Sequence, residues 1–212
     1  MDRQKAYELL TEYTTSESII RHSLAVEAAM KAYARKYGEN EILWGAVGLV
    51  HDFDYEQNPT PDKHPMVGGE ILRQKGWPED AVQAVLSHSD ESGVPRENRL
   101  QKTLYAVDEL TGFIMAVAMV RPSRSLDDLK AKSVKKKMKD KSFAAAVNRE
   151  QLLRSARELG EDFTEHVDFV IQAMRPVGKQ LGFETLEDKY CLLYTSDAAD
   201  ELDGVDLGGR RI

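Results

Sequence analysis

The amino-acid sequence predicts an all-α protein, folded as one compact, single-domain helical bundle. Apolar residues recur at helical spacing along most of the chain, and no segment alternates apolar and polar residues regularly enough to predict a strand. Clusters of Pro, Gly, Ser, Asn and Asp separate these helical stretches. With 212 residues, the chain is long enough to bury a sizeable hydrophobic core in one domain.

In the first half of the chain, helix boundaries follow from start and stop signals. Thr15 is typical of a helix start and Gly38 of a helix stop. Pro65 suits the first turn of a helix, so a helix should begin directly after His64. The polar N-terminus leads into a further helical pattern. The predicted helices span residues 15–38, 41–53, 65–76 and 78–88.

The second half contains one long helix followed by shorter ones. An apolar stretch that is interrupted by a single acid, Asp108, predicts the long helix. Polar residues then separate three shorter segments. The predicted helices span residues 99–120, 125–139, 148–159 and 164–180.

Composition excludes several classes of protein. A net charge of -7 argues against a general nucleic-acid binder, which is usually basic. No run approaches eighteen apolar residues, so a membrane span is not expected. The single cysteine, Cys191, excludes an internal disulfide and thiolate metal clusters. The N-terminus does not resemble a signal peptide, and we therefore expect a cytoplasmic protein. The sequence does not predict an oligomeric state.

Residues 191–212 differ in composition from the rest of the chain, being rich in small and acidic residues. Two strings in this segment resemble translations of synthetic sequencing-adapter DNA: CLLYTSDAADE (191–201) a transposon-end adapter, and VDLGGRRI (205–212) an amplification primer site. The alternative is an ordinary disordered acidic tail. We interpret residues 1–190 as the domain and residues 191–212 as a non-native tail outside the fold.

A His-Asp pair stands at the end of a strongly apolar run. His51 and Asp52 directly follow GAVGLV (45–50), which should be buried. Burying a charged group without a partner is strongly unfavourable, so such a pair predicts a function. Other residues of the same kinds occur at or inside apolar segments: His22, His64, His88 and Asp108.

These residue types favour metal binding. Neutral imidazoles and carboxylates suit divalent Mn, Fe, Co or Zn, with Mg as a further candidate. A carboxylate can also bridge two ions through its two oxygens, which an imidazole cannot do. The inventory therefore predicts a site for divalent metal ions, two in number.

The order of these residues resembles the HD superfamily of metal-dependent phosphohydrolases. His22, His51-Asp52 and Asp108 match its signature, while HPMVGGEIL (64–72) resembles the His-Pro and glycine segment of its two-metal branch. DELTG (108–112) resembles the helix with the last aspartate of that family. The likeness covers residues 16–112, and the segment to about residue 183 is similar to small uncharacterised bacterial members. The Gly-Tyr-Pro signature of the cyclic-dinucleotide branch is absent, which argues against a cyclic-dinucleotide substrate.

The resemblance implies a fold, a ligand set and an activity. It implies an HD-type bundle with the metal-site core at about residues 16–120 and C-terminal helices at 125–183. It implies that Asp52 is the bridging, catalytic residue, that His22, His51 and Asp108 complete the shell of one ion, and that His64 and His88 hold the other. A hydroxide between the two ions would then attack phosphorus.

Three functions are compatible with this ligand set. The favoured function is a phosphohydrolase that cleaves a small phosphomonoester or phosphodiester, nucleotides included. A di-iron oxygenase of the same superfamily, which cleaves C–C or C–P bonds with dioxygen, has the same inventory. A non-catalytic binding or sensor domain is the third.

Three further polar residues received an interpretation. Asp54 and Glu56 follow the His-Asp pair, and either could orient a ligand histidine, as outer carboxylates commonly do, or protonate a leaving group. Their alternative is a polar helix end before a loop. His166 follows Thr164 and Glu165 among charged residues, and we expect it to be a solvated surface residue.

Overall fold

Residues 2–186 are described by the computed structural model, and within this range the chain forms α-helices and no strand. The prediction of an all-α fold is confirmed. The proposed tail at residues 191–212 lies outside the described residues. The helices are α1 Arg3–Tyr13, α2 Glu17–Tyr37, α3 Glu41–Val50, α4 Met66–Gln74, α5 Glu79–Ser87, α6 Arg99–Met119, α7 Ala131–Met138, α8 Arg149–Leu159 and α9 Phe163–Met174, with single 3-10 turns at Asp90–Ser92 and Arg175–Val177.

Side-chain caps set several helix starts. Asn40 accepts hydrogen bonds from the backbone N–H groups of Ile42 and Leu43, which otherwise have no partner at the start of α3. Asn98 and Gln101 cap each other's backbone at the start of α6. Helices α2 and α8 end at glycines in the left-handed conformation, Gly38 and Gly160.

The core lies around the two longest helices, α2 and α6. Helix α2 packs against α3, α6 and α9, and α6 packs in turn against α5, α7 and α8. Trp44 and Trp77 are buried, as their aromatic surface favours. No helix in the described part of the chain combines the length and apolar character needed to span a membrane.

Helices α2 and α3 approach each other at a glycine. A Cβ atom added to Gly48 would lie 3.0 Å from the backbone N and Cα of Glu27 in α2. Only a residue without a side chain therefore fits there. The close approach fixes the end of α3 against α2, and the His-Asp pair follows directly.

Three predicted helices, at 41–53, 164–180 and 125–139, have different bounds in the structure. Helix α3 ends at Val50, so His51 and Asp52 lie in the turn that follows it. The helix predicted at 164–180 gives way to a 3-10 turn at Arg175–Val177, because Pro176 has no N–H to continue it.

The helix predicted at 125–139 begins only at Ala131. The guanidinium of Arg175 donates hydrogen bonds to the carbonyls of Leu126 (3.1 Å) and Leu129 (3.0 Å). These bonds satisfy backbone groups that would otherwise favour helical partners. Residues 125–130 are therefore not helical, with a turn at 127–128.

The prediction for His166 was wrong, since its side chain is completely buried. Its Nδ1 accepts a hydrogen bond from the Tyr33 hydroxyl (2.6 Å), and its Nε2 donates to the carbonyl of Ala106 (3.0 Å). The ring thus joins α9 to α2 and α6. Burial lowers the pKa of His166 and outweighs the bond to Ala106.

We expect His166→Phe to reduce the free energy of unfolding by about 1–2 kcal/mol at pH 8, because the buried Tyr33 hydroxyl loses its acceptor. The folded-state pKa of His166 is below its ordinary value, so the unfolded chain takes up the proton first as pH falls below about 6.5. This protonation of the unfolded chain lowers the free energy of unfolding of the wild type. The variant has no titrating group at position 166 and does not lose this stability. Urea unfolding at both pH values should show that the difference in free energy of unfolding between the wild type and the variant is smaller at pH 5.5 than at pH 8. An equal difference at both pH values would contradict this account.

Candidate metal centre

The structure brings all six predicted ligands to one place. His22 comes from the first half of α2, and Asp108 from the middle of α6. The others occupy helix ends and turns, where the backbone can aim a side chain inward: His51 and Asp52 after α3, His64 before α4, and His88 at the end of α5. Two groups of donor atoms result, each able to hold a metal ion.

The first group contains four residues. His22 Nε2 lies 3.0 Å from Asp108 Oδ1 and 3.2 Å from His51 Nε2. His51 Nε2 lies 3.4 Å from Asp108 Oδ1 and 3.4 Å from Asp52 Oδ2. Two imidazole nitrogens and two carboxylate oxygens therefore converge, a donor set that suits a divalent transition metal.

The second group contains three residues. His64 Nε2 lies 3.1 Å from Asp52 Oδ1, and His88 Nε2 lies 3.2 Å from the same oxygen. The two Nε2 atoms are 3.2 Å apart. This group has fewer protein donors than the first.

Asp52 belongs to both groups, and each of its carboxylate oxygens faces a different one. Oδ2 faces the nitrogens of His22 (3.9 Å) and His51, whereas Oδ1 faces those of His64 and His88. A carboxylate in this position can join two cations.

Hydrogen bonds on the far side of three rings orient the donor nitrogens. The Nδ1 atoms of His51 and His88 contact the carbonyls of Gly48 (2.8 Å) and Val85, which only accept hydrogen bonds. Each Nδ1 must therefore carry a proton, and in the neutral ring Nε2 keeps its lone pair. Lone pairs that face each other across about 3 Å repel unless a proton or a cation lies between them. The donor chemistry therefore fits a cation.

The pKa shifts of two of these histidines also indicate that the site attracts positive charge. Burial lowers the pKa of the His51 imidazole, but Asp52 and Asp108 outweigh it and raise that pKa well above its ordinary value. Burial likewise lowers the pKa of His64, yet the Asp52 and Asp54 carboxylates raise it to about 9. Protons and metal ions therefore compete for the same nitrogens.

Asp54 contacts His64, a member of the second group, on the side of the ring that faces away from the other donors. It is completely buried, and its Oδ1 accepts a hydrogen bond from His64 Nδ1 (2.9 Å). Its Oδ2 accepts from the backbone N–H of Gly68 (3.0 Å). A Cβ atom on Gly68 would lie 2.6 Å from Asp54 Oδ1, so the glycine leaves room for this carboxylate. The expectation that Asp54 contacts a histidine of the set is met.

Glu56 has a different place. Its carboxylate accepts hydrogen bonds from the backbone N–H groups of Thr15 (2.8 Å) and Ser16 (2.9 Å), and from the Thr15 hydroxyl. These groups precede α2, so Glu56 holds the start of that helix. Hydrogen bonding to the N–H of Ser16, and then to Thr15, lowers the pKa of Glu56. The alternative that Glu56 orients a ligand histidine is not borne out by these contacts.

We expect Asp54→Asn to weaken divalent-metal binding at the second group of donors by about 10- to 100-fold, because outer carboxylates of this kind orient the donor histidine and raise its basicity. Metal titration should show one unchanged and one weakened site. Asp62→Asn, which changes an exposed aspartate of the same loop, is the matched control. Two unchanged sites in Asp54→Asn would contradict this role.

The donor groups lie in an open cavity of about 460 Å³. Glu109 directly follows Asp108 and Glu91 closely follows His88, yet neither these nor the other residues of the wall were among the predicted site residues. Burial, followed by the charge of Asp108, raises the pKa of Glu109 to about 7. Apart from the ligands, the wall consists of Tyr55, Ser89, Asp90, Glu91, Glu109, Gly112, Val147, Asn148 and Gln151.

The chain is similar to known proteins over part of its length. The family model for the HD domain matches residues 19–112. The chain is 31% identical to Ribonuclease Y of Fusobacterium nucleatum over 83 residues, which are 38% of the chain and 16% of that relative. It is 30% identical to a tRNA (cytidine(56)-2'-O)-methyltransferase of Thermoplasma volcanium over 112 residues, 49% of the chain and 33% of that relative. The matches thus span a third or less of these relatives. No solved structure matches the chain.

The range matched by the family model contains all six converging residues. Its ends lie within α2 and α6, the two long helices that carry the outermost of these residues, His22 and Asp108. Residues 19–112 of this chain therefore match the HD-domain family, and the match contains the whole converging set of histidines and aspartates.

Proposed function

We propose that the protein is a metal-dependent phosphohydrolase that cleaves a small phosphomonoester or phosphodiester, nucleotides included. The observation that carries the proposal is the position of Asp52, whose two oxygens face two separate groups of donors at an open cavity. Such an arrangement supports two divalent ions, from Mn, Fe, Co, Zn or Mg.

The proposed ligands are those that converge. His22, His51 and Asp108 would hold one ion, His64 and His88 the other, and Asp52 both. When bound, the ions would lower the pKa of water and neutralise charge on phosphoryl oxygens.

The chain itself supplies orientation. The carbonyls of Gly48 and Val85 and the carboxylate of Asp54 fix three imidazole rings through their Nδ1 atoms. Asn148 and Gln151 offer amide groups to the alcohol part of a substrate. In the reaction, an oxygen of water bonds to phosphorus, the ester P–O bond breaks, and the leaving oxygen takes a proton.

The remaining parts of the proposal concern the chain as a whole. We propose that residues 1–190 are the HD-type domain and that residues 191–212 are not native. We place the protein in the cytoplasm, without a membrane or general nucleic-acid partner.

The test is a panel of phosphomonoesters and phosphodiesters, assayed with each of the five metals under air and under nitrogen, with metal content measured in parallel. Phosphate release that does not depend on oxygen supports the proposal. Turnover that requires oxygen would instead indicate an oxygenase, and metal binding without turnover on any ester would indicate a binding domain. Either result would overturn the proposal.

A further inference from the structure

The cavity around the metal centre has an acidic wall. Besides Asp52 and Asp108, it is lined by Asp90, Glu91 and Glu109. Among residues 2–186, no lysine or arginine lines this cavity. Sites that bind phosphate commonly use Arg or Lys. Here the negative charge of a substrate can be met by metal ions, but not by side chains of the described wall.

Asp90 is already compensated by cations outside the cavity lining. Its Oδ1 accepts a hydrogen bond from Arg96 Nη2 (3.0 Å), and its Oδ2 accepts from the Tyr105 hydroxyl (3.0 Å) and from Arg154. The Arg96 guanidinium also pairs with Glu158 (2.9 Å). Asp90 therefore anchors the turn after α5, and the two arginines compensate its negative charge.

Glu91 and Glu109 lack such compensation within the described residues. Glu91 accepts a hydrogen bond from the neutral hydroxyl of Ser89 (2.8 Å), and neither glutamate forms an ion pair with a lysine or arginine there. Glu91 is exposed on the turn after His88, whereas Glu109 is half-buried beside Asp108. Two carboxyl groups from different elements therefore line one cavity without a cation.

The charges around the proposed metal centre limit the net charge that a substrate can carry. Two divalent ions would bring four positive charges, and Asp52, Asp54 and Asp108 return three negative ones. The two negative charges of a phosphomonoester exceed the one positive charge that remains. Further phosphates, as in a polyphosphate, would be repelled by the exposed carboxylate of Glu91, whereas a cationic group on the substrate would pair with it.

We propose that the substrate is a small phosphoester of an amino alcohol. Its ammonium group would bind beside Glu91 in the cavity wall, and its phosphoryl group would bind at the metal centre. This inference rests on the proposed phosphohydrolase function. A cavity of about 460 Å³ suits a small molecule.

The test compares phosphoesters of similar size and different charge, with the full chain loaded with the metal that supports hydrolysis. The probes are O-phosphoethanolamine, propyl phosphate and phosphoglycolate. We expect kcat/KM to be about three- to fivefold higher for the ammonium ester than for the neutral one, the range of an exposed ion pair, and lowest for phosphoglycolate. The preference should shrink as salt rises.

Glu91→Gln should reduce the preference for the ammonium ester to below about twofold. Glu150→Gln removes the same charge from an exposed position outside the cavity lining, and should keep the preference. Hydrolysis with an equal or reversed preference in the wild type, or an unchanged preference in Glu91→Gln, would overturn this inference and leave the phosphohydrolase standing. No hydrolysis of any ester with any metal would overturn the proposed function, and this inference with it.

Discussion

Asp52→Asn is expected to remove bound metal and turnover together while the helical fold persists. The substitution keeps the size of the side chain but leaves one neutral carbonyl oxygen where two charged oxygens face two groups of donors. Loss of a single preorganised electrostatic contact already lowers kcat by about 10²–10³. Loss of a shared ligand should exceed that, so we expect turnover to fall at least about 10³-fold.

The measurement is metal content together with kcat and far-UV circular dichroism on the same preparation. Asp62→Asn again serves as control, because it removes one carboxylate from an exposed loop position. Unchanged helical content with no metal and no turnover is the expected outcome. If Asp52→Asn keeps wild-type activity with a full complement of metal, Asp52 is not the shared ligand.

Gly48→Ala is expected to destabilise the fold by about 1–2 kcal/mol, although alanine is the better helix former. Its Cβ would meet the backbone of Glu27 at 3.0 Å, and a packed backbone cannot move aside as a flexible side chain can. The gain of about 1 kcal/mol in helix propensity is smaller than the cost of separating α2 from α3. His51 lies one turn further on and should be displaced as well.

Gly112→Ala is the matched comparison, because Gly112 is also a helix glycine but has no atom closer than 3.8 Å to an added Cβ. There the same substitution should stabilise the protein by up to about 1 kcal/mol. Chemical unfolding of the two variants and the wild type measures both effects. A stabilised Gly48→Ala would show that α2 and α3 are not held by this contact.

The sequence was sufficient to predict most of the helices, which depend on local patterns, and the set of donors, which followed from the resemblance to the HD superfamily. Asn40 and Gly38 produce the same local structure wherever they occur at a helix end, so the boundary between α2 and α3 was predictable. Burial made His51, Asp52 and Asp108 candidates, because charged side chains inside apolar segments require a partner. The order of all six donors along the chain, which resembles the HD superfamily, completed the set.

His166 shows where local reasoning failed although a usable signal was present. Its neighbours Thr164 and Glu165 are polar, which suggested a surface position. The buried residues of α9 nevertheless include Val167, Val170 and Ile171, so His166 lies on the apolar face at helical spacing. Periodicity outweighs the character of adjacent residues in a helix.

The wall of the cavity could not be predicted, because it depends on contacts between distant segments. Gln151 of α8 and Asn148, which caps the start of that helix, line the cavity from beyond the range of the family model. The late start of α7 has the same cause, since the carbonyls it would use are occupied by Arg175, more than forty positions away.

The distance in sequence between the donors has a consequence for the lifetime of the protein. His22 and Asp108 are 86 positions apart in the chain, and their donor atoms lie 3.0 Å apart in the fold. An unfolded chain offers no such cluster, so a cation captured there selects the native state. At a free concentration one hundred times its Kd, a cation adds about 2.7 kcal/mol to stability. Supply of the ion would then govern not only turnover but also how much of the protein escapes proteolysis.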